Sequence, residues 1–167
     1  MNSILYTEEA VNKSFLSLNR TPVTIGHPMV DGQYVSANDP EIDYDGYRIG
    51  AFNESAKQMD DGRISLDKVI NVQKAMKSES GRRLLDRIKE LETSKAARPL
   101  HTSVGVYIDA EELDKPRVNS DGTEYSAIAH NLLFDHDSIL LDEIGACVPE
   151  QGTGIGINSE QIKVEHF

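Results

Sequence analysis

Turn signals divide most of this chain into short runs rich in β-branched residues, and this spacing limits it to a fold built on a β-sheet. Hairpin-type Asp-Gly dipeptides stand at residues 31–32, 45–46 and 61–62. The first β-branched run, residues 23–25, ends at Gly26-His27-Pro28, where the chain must turn. Further strands are predicted over residues 47–52 and 69–72. The pattern predicts a core of short antiparallel strands.

Two longer stretches also have the pattern of strands. From His101 to Ile108, residues 102, 104, 106 and 108 form one face, and residues 101, 103, 105 and 107 form the other. A second strand is predicted over residues 128–141, with a bend near Asp135. These two stretches carry most of the residue types that can do chemistry.

Helix signals are few. A short helix is predicted over residues 7–18, with Thr7 as its N-cap. A stronger one is predicted from Ser80 to Glu92, with Ser78 or Ser80 as cap and an apolar stripe formed by Leu84, Leu85, Ile88 and Leu91. Strands with a few helices outside them define the α+β class. We expect a mostly antiparallel β-barrel of short strands surrounded by a few helices.

Length and charge limit the classes of function. The chain has 167 residues, which suits one domain over residues 1–158 followed by a tail over 159–167. Its net charge of −11, without clustered Lys or Arg, argues against nucleic acid as a partner. We also expect no membrane partner, because no apolar run is long enough to span a bilayer. The N-terminus lacks the apolar stretch of a secretory signal.

Metal and cofactor motifs are missing from the sequence. One cysteine, Cys147, excludes an intrachain disulfide, and it is expected to be a small buried residue. There is no His-Glu-x-x-His or Cys-x-x-Cys motif, so any metal site would need scattered ligands. The glycines at 152, 154 and 156 lack the Lys-Ser/Thr of a phosphate-binding loop. We therefore expect no metal and no cofactor.

Nucleophilic catalysis by serine is the most specific chemistry that the residues allow. Ser103 lies in the middle of a predicted strand, and Gly105 on the same face leaves room for a substrate. A serine hydroxyl needs a neutral imidazole to accept its proton. The candidate bases are His27, His101, His130 and His136. His101 is two residues from Ser103 on the same strand, which is a poor position, whereas His27 is held in its turn by Pro28.

Three segments in order resemble the prohead maturation proteases of tailed bacteriophages. They are RTPVTIGHPMVDGQYVSANDP, LHTSVGVYIDAEE and FDHDSILLDEIGACVPEQGTGIGIN, and the order and rough spacing of the resemblance hold from about Val11 to Asn158. The first carries Gly-His-Pro, the second Ser-x-Gly, and the third a histidine before an Ile-Leu-Leu-Asp-Glu block. At residues 137 and 138 this chain has Asp and Ser, where the family usually has an apolar residue and Ala.

The resemblance implies a fold similar to that of the herpesvirus assembly proteases and a triad of the Ser-His-His or Ser-His-acid type. It implies Ser103 as nucleophile, His27 as general base and His136 as third member, with Asp135 or Glu143 as alternatives for the third position. The oxyanion donors in the herpesvirus enzymes lie shortly after the third histidine. The corresponding backbone N–H groups here would be those of Gly145 and Ala146, without the arginines of those enzymes.

The resemblance also implies a function: a serine endopeptidase of phage head maturation that cleaves scaffold protein, the N-terminal segment of the capsid protein and itself. It would act inside the viral prohead in the host-cell cytoplasm, and as a homodimer if it follows its herpesvirus relatives. The alternative is a non-catalytic head-assembly or scaffold-associated protein that keeps the protease fold. A generic esterase ranks third, because the Gly-x-Ser-x-Gly motif is missing.

Overall fold

Six strands form one mixed sheet in the computed structural model, which describes residues 3–42, 44–145, 147, 149 and 152–155. The strands are β1 (Ile4–Tyr6), β2 (Pro22–Ile25), β3 (Met29–Val30), β4 (Gln33–Tyr34), β5 (Arg48–Gln58), β6 (Ile64–Ile70), β7 (His101–Val118) and β8 (Glu124–Leu140). The helices are α1 (Glu8–Ser14), α2 (Tyr44–Tyr47), α3 (Val72–Ala75) and α4 (Glu79–Thr93), and a 3₁₀ turn (Phe15–Leu18) follows α1. Strands β3 and β4 form a separate hairpin.

The sheet is centred on β8. Strands β1 and β2 pair with it in parallel along different parts of its length, and β7 pairs with it in antiparallel orientation. The order continues from β2 to β5 to β6, both antiparallel. The α+β class is therefore confirmed. The sheet is mixed, however, and the strands of the described residues do not close into a barrel.

The strand lengths correct one prediction. Strands β7 and β8 have 18 and 17 residues, so the strands are not all short. The extra length is a hairpin that turns at Asp121-Gly122, a dipeptide of the same type as the three used for prediction. Of those three, the dipeptides at 31–32 and 61–62 lie in turns between strands, whereas Asp45-Gly46 lies in α2. Val72, predicted to end a strand, begins α3.

Both predicted helices are present. Thr7 caps α1 by accepting the N–H of Ala10 at 3.1 Å, and Ser78 caps α4 by accepting the N–H of Gly81 at 3.0 Å. Leu84 and Ile88 of α4 are buried against the sheet residues Val23, Ile49 and Ile139. Among the described residues, no helix has the length and apolar character needed to cross a membrane.

Candidate functional site

The turn after β2 places His27 at the end of the central strand β8. Because β2 runs parallel to β8 with Thr24 opposite Ser138, its carboxyl end reaches the last third of β8. Gly26 then adopts a positive φ of 69°, which reverses the chain, and its N–H donates to the carbonyl of Ile139 at 3.0 Å. The His27 ring is thereby turned toward His136.

The two histidines are hydrogen-bonded to each other. His27 Nδ1 lies 2.9 Å from His136 Nε2, and His136 Nδ1 lies 2.7 Å from Asp135 Oδ2. His136 and Asp135 are both largely buried, with side chains 6% and 9% exposed. The result is a chain of three titratable groups, which runs from a buried carboxylate through one imidazole to another.

A β-bulge explains how two consecutive residues can both belong to this chain. Gly105 pairs with His136 and Val106 with Phe134, so Asp135 has no partner of its own on β7. The extra residue changes the direction of its side chain relative to a regular strand. The Asp135 carboxylate accepts hydrogen bonds from the Ser36 hydroxyl and from the Ala37 N–H, the latter at 2.7 Å. The bulge and these two donors fix the carboxylate beside His136.

Gly105 makes room for His136. A Cβ atom at this position would lie 2.1 Å from Cε1 of the His136 ring and 2.5 Å from each ring nitrogen. The imidazole therefore packs directly on the Gly105 backbone. The prediction that Gly105 leaves space for a substrate needs correction, because the histidine itself occupies that space.

Ser103 lies on the same face of the sheet as this cluster. It is the cross-strand partner of Ser138, and directly opposed residues on antiparallel strands project to the same side with Cβ atoms about 4.5–5.5 Å apart. Ser138 Oγ is 3.2 Å from His27 Nδ1. Within the described part of the chain, the Ser103 hydroxyl makes no hydrogen bond to His27. Such bonds are often long in unliganded enzymes.

Ser138 differs from Ser103 in exposure and in bonding. It is completely buried, and its hydroxyl contacts Thr24 Oγ1 at 3.0 Å and the Gly26 carbonyl at 3.0 Å in addition to His27. Ser103 is half-buried and is not tied to other groups in the described structure. Ser103 is therefore partly open to solvent, whereas Ser138 is enclosed and contacts the His27 ring.

The Asp135 carboxylate determines which ring nitrogen of each of the two histidines carries a proton. An ionised Asp135 only accepts hydrogen bonds, so it receives the proton on His136 Nδ1. A neutral His136 then accepts at Nε2 from the N–H of His27 Nδ1. This assignment leaves Nε2 of His27 without a proton, and this is the form that a general base needs.

Shifts in pKa agree with these roles. Burial lowers the pKa of His27 because it disfavours the charged imidazolium, and the neighbouring His136 lowers it further. For Asp135, burial acts to raise the pKa, but hydrogen bonds from Ser36, His136 and Ala37 outweigh it, so the net direction is down. At neutral pH the site therefore combines a neutral His27 with an ionised Asp135.

A cavity of about 360 Å³ opens beside the two histidines. The side chains of Tyr34, Val35, Val106 and Tyr107 form much of its wall, and His27, His136, Asp135 and Gly105 complete the lining. The Tyr34 ring meets the His27 ring edge-on with centroids 5.8 Å apart. The lining combines apolar and aromatic side chains with the polar groups of the two histidines and Asp135, as is typical of ligand sites.

Of the two predicted oxyanion donors, Gly145 lies among the described residues. The N–H of Gly145 donates to Nδ1 of His101 at 3.3 Å, so it is occupied in this arrangement. Ala146 lies outside the described residues, as does the tail 159–167.

Of the alternatives for the third member, Asp135 contacts His136, whereas Glu143 is exposed and makes no hydrogen bond within the described ranges. Asp137 projects away from the site and pairs with Lys68.

Sequence reasoning missed several residues of the site. Ser36 was not singled out, although it holds the carboxylate. Ser138 was seen only as a departure from the family pattern, and that departure was the available signal. Cys147 was expected to be buried but is exposed.

Across residues 3–42, 44–145, 147, 149 and 152–155, no three His, Cys, Asp or Glu side chains are grouped to hold a metal ion.

Comparison with known proteins adds no relative. The chain matches no protein-family model, no curated protein and no solved structure.

Proposed function

We propose that this protein is a serine endopeptidase in which Ser103 is the nucleophile, His27 the general base, and His136 and Asp135 the groups that orient and charge-stabilise that base. The supporting observation is the hydrogen-bonded chain from Asp135 through His136 to His27 on the sheet face that also carries Ser103. Nε2 of His27 has no hydrogen-bond partner among the described residues, and His27 lines the cavity, so this nitrogen is available to act as a base.

The proposed reaction begins when Ser103 Oγ attacks a peptide carbonyl carbon. His27 Nε2 accepts the hydroxyl proton and later transfers it to the leaving amine, which leaves an acyl-enzyme on Ser103. Water, activated by the same nitrogen, then releases the acid product. The imidazolium that forms on His27 is next to His136, and the negative charge of Asp135 stabilises it through that ring.

The biological assignment rests on the resemblance of three sequence segments to phage prohead proteases. It includes the herpesvirus-protease-like barrel, the substrates (scaffold protein, capsid-protein N-terminal segments and the enzyme itself), action inside the prohead in the host-cell cytoplasm, and a homodimer.

Covalent labelling tests the nucleophile. A fluorophosphonate should modify one residue of the native chain, and peptide mapping should locate it at Ser103. We expect no labelling of Ser103→Ala, strongly slowed labelling of His27→Ala, and unchanged labelling of Ser65→Ala, which removes an exposed serine on β6. If the native chain is unlabelled under conditions that label a known serine protease, the non-catalytic assembly protein becomes the better interpretation.

Co-expression tests the substrate class. The native chain should shorten co-expressed scaffold and capsid proteins, read as new intact masses, and Ser103→Ala should not. Labelling and ester turnover without any cleavage of either protein would instead support the generic esterase.

A further inference from the structure

A second cluster of chemically capable side chains lies on the sheet face opposite the candidate active site. Lys68 of β6 contacts Asp137 of β8 with its ammonium group and lies 3.3 Å from Oδ1 of Asn53 on β5. The candidate active site uses none of these three residues. The side chains of Lys68 and Asp137 are 11% and 4% exposed, and Asn53 is completely buried.

The register of the sheet holds the amine and the carboxamide of this second cluster next to each other. Asn53 and Lys68 are directly opposed on the antiparallel strands β5 and β6. The Asn53 amide nitrogen donates to Thr21 Oγ1 at 2.9 Å, so its carbonyl end faces the lysine. An amine and a carboxamide are thus held in contact in a place with little access for water.

Asp137 supplies the group that such a pair needs in order to react. One of its oxygens contacts Lys68 Nζ, while the other, Oδ1, is buried and has no hydrogen-bond partner among the described residues. A buried carboxylate oxygen without a partner is costly, and a chemical role is one reason for a protein to retain it. A carboxyl group that first accepts and then donates a proton would use both oxygens.

We propose that Lys68 and Asn53 form an intramolecular isopeptide bond, with Asp137 as the proton-transfer group. The Lys68 ammonium gives one proton to Asp137, and the neutral Nζ attacks Cγ of Asn53. Asp137 then delivers that proton to the Asn53 nitrogen, the Cγ–Nδ2 bond breaks, and an Nζ–Cγ bond replaces it. A second Nζ proton leaves with the ammonia, so an ammonium ion is the second product, and the third stays as the N–H of the new amide. No oxidant, metal or cofactor is required, and the proposal is independent of the peptidase assignment.

The bond would have a definite mechanical consequence. It would join β5 to β6 covalently and close the loop of chain between residues 53 and 68. Closing a loop stabilises a fold mainly by restricting its unfolded state. The cross-link would therefore tie the outer strand β6 permanently to the rest of the sheet.

Intact mass of the denatured, purified chain tests this proposal directly. We expect the native chain to be lighter than its sequence mass by one molecule of ammonia, and a digest to contain one branched peptide joining residues 53 and 68. Asn53→Asp should give a product of the same mass as the native cross-linked chain, because loss of water from aspartate yields the same amide. Asp137→Asn should keep its full sequence mass.

Lys68→Met is the matched control against a cyclic imide at Asn53, which also releases ammonia. This variant should keep its full mass if the isopeptide bond is the cause. A native chain that has its full sequence mass after prolonged incubation at neutral pH would overturn the proposal, and the three residues would then be a buried ion pair with an amide neighbour. Because the decisive measurement is made on the native chain, it does not depend on whether any variant folds.

Discussion

At the scale of single residues, Gly105 shows how a side chain's absence can shape a site. Its Cα faces the His136 ring so closely that even a methyl group would overlap three ring atoms. Glycine is therefore required by the position of the histidine. The Ser-x-Gly pattern thus places Ser103 on the same strand face as the Gly105 backbone on which the His136 ring packs.

Gly105→Ala is expected to displace His136 and to slow fluorophosphonate labelling of Ser103 by about 100-fold, because displacing a catalytic group by about 1 Å has an effect of that order. The rate constant of labelling is the measurement. Val104→Ala, a neighbouring substitution at an exposed position, should label within about two-fold of the native rate. A native rate for Gly105→Ala, with an unchanged circular dichroism spectrum, would mean that His136 has no part in activating Ser103.

Ser103 and Ser138 show how burial divides two identical residues between roles. They are opposed across β7 and β8, and both face the His27 side of the sheet. Ser138 has no exposure and is tied to Thr24, Gly26 and His27. Residue type alone does not distinguish them, but solvent exposure does.

At the scale of elements, the bulge in β8 creates the contact between the Asp135 carboxylate and the His136 ring. In a regular strand, Asp135 and His136 would project to opposite faces. Because Asp135 is the unpaired residue between two register positions, its carboxylate reaches the ring of its own neighbour. A bend near Asp135 was predicted from the sequence, with Asp135 as an alternative to His136 for the third position, whereas the contact of the Asp135 carboxylate with His136 itself was not predicted.

Asp135→Asn should leave the bulge intact but move the proton of each of the two histidines, His136 and His27, to the other ring nitrogen. Donors from Ser36 and Ala37 would hold the amide oxygen, so the amide NH₂ would face His136 and require an unprotonated Nδ1. The proton on His27 would then move to Nε2, where it blocks acceptance from Ser103. We expect labelling to slow by roughly 10²- to 10⁴-fold, within the range that loss of a triad carboxylate produces.

Asp109→Asn is the matched control for this change. Asp109 lies on β7 in the same hairpin, where its carboxylate accepts from Asn131 at an exposed position 3.1 Å away. Its labelling rate should equal that of the native chain. If Asp135→Asn also labels within about three-fold of native, His136 orients the base without help from the carboxylate.

At the scale of the whole molecule, the site makes folding sensitive to acid. In the folded state, His27 binds a proton less readily than it does in the unfolded chain, because its pKa is lowered by burial and by His136. The pKa of Asp135 is likewise below its unfolded value. In both cases the unfolded chain binds more protons, so the free energy of unfolding falls as the pH falls.

The melting temperature should therefore decrease on acidification in two ranges. The His27 contribution begins to be lost below about pH 6.5, and the Asp135 contribution below about pH 3.9, their ordinary values in unfolded chains. The net charge of −11 changes over the same range, so the informative quantity is a difference between variants.

His27→Gln should show a smaller decrease in melting temperature between pH 7 and pH 5 than the native chain. His130→Gln, at an exposed histidine on the same strand as His136, should follow the native curve. Parallel curves for the native chain and His27→Gln would show that His27 is protonated equally well in both states, contrary to its burial.

Local features of the sequence determined the elements and their ends. Thr7 and Ser78 cap helices where a side-chain oxygen can accept a free N–H, and the stripe through Leu84 and Ile88 selects the buried face of α4. Alternation placed Ser103 and Gly105 on one face of a strand. These features follow from interactions between residues close in the chain, whose geometry is the same in any fold.

Contacts between residues far apart in the chain depend on how the strands pair in the folded sheet. The parallel pairing of β2 with β8 brings His27 to His136, the bulge adds Asp135, and the loop after β4 adds Ser36. The burial of Lys68 with Asn53 and Asp137 also follows from sheet register. A shift of one residue between strands would separate each of these groups without changing any local pattern, because register depends on the summed packing of the whole sheet.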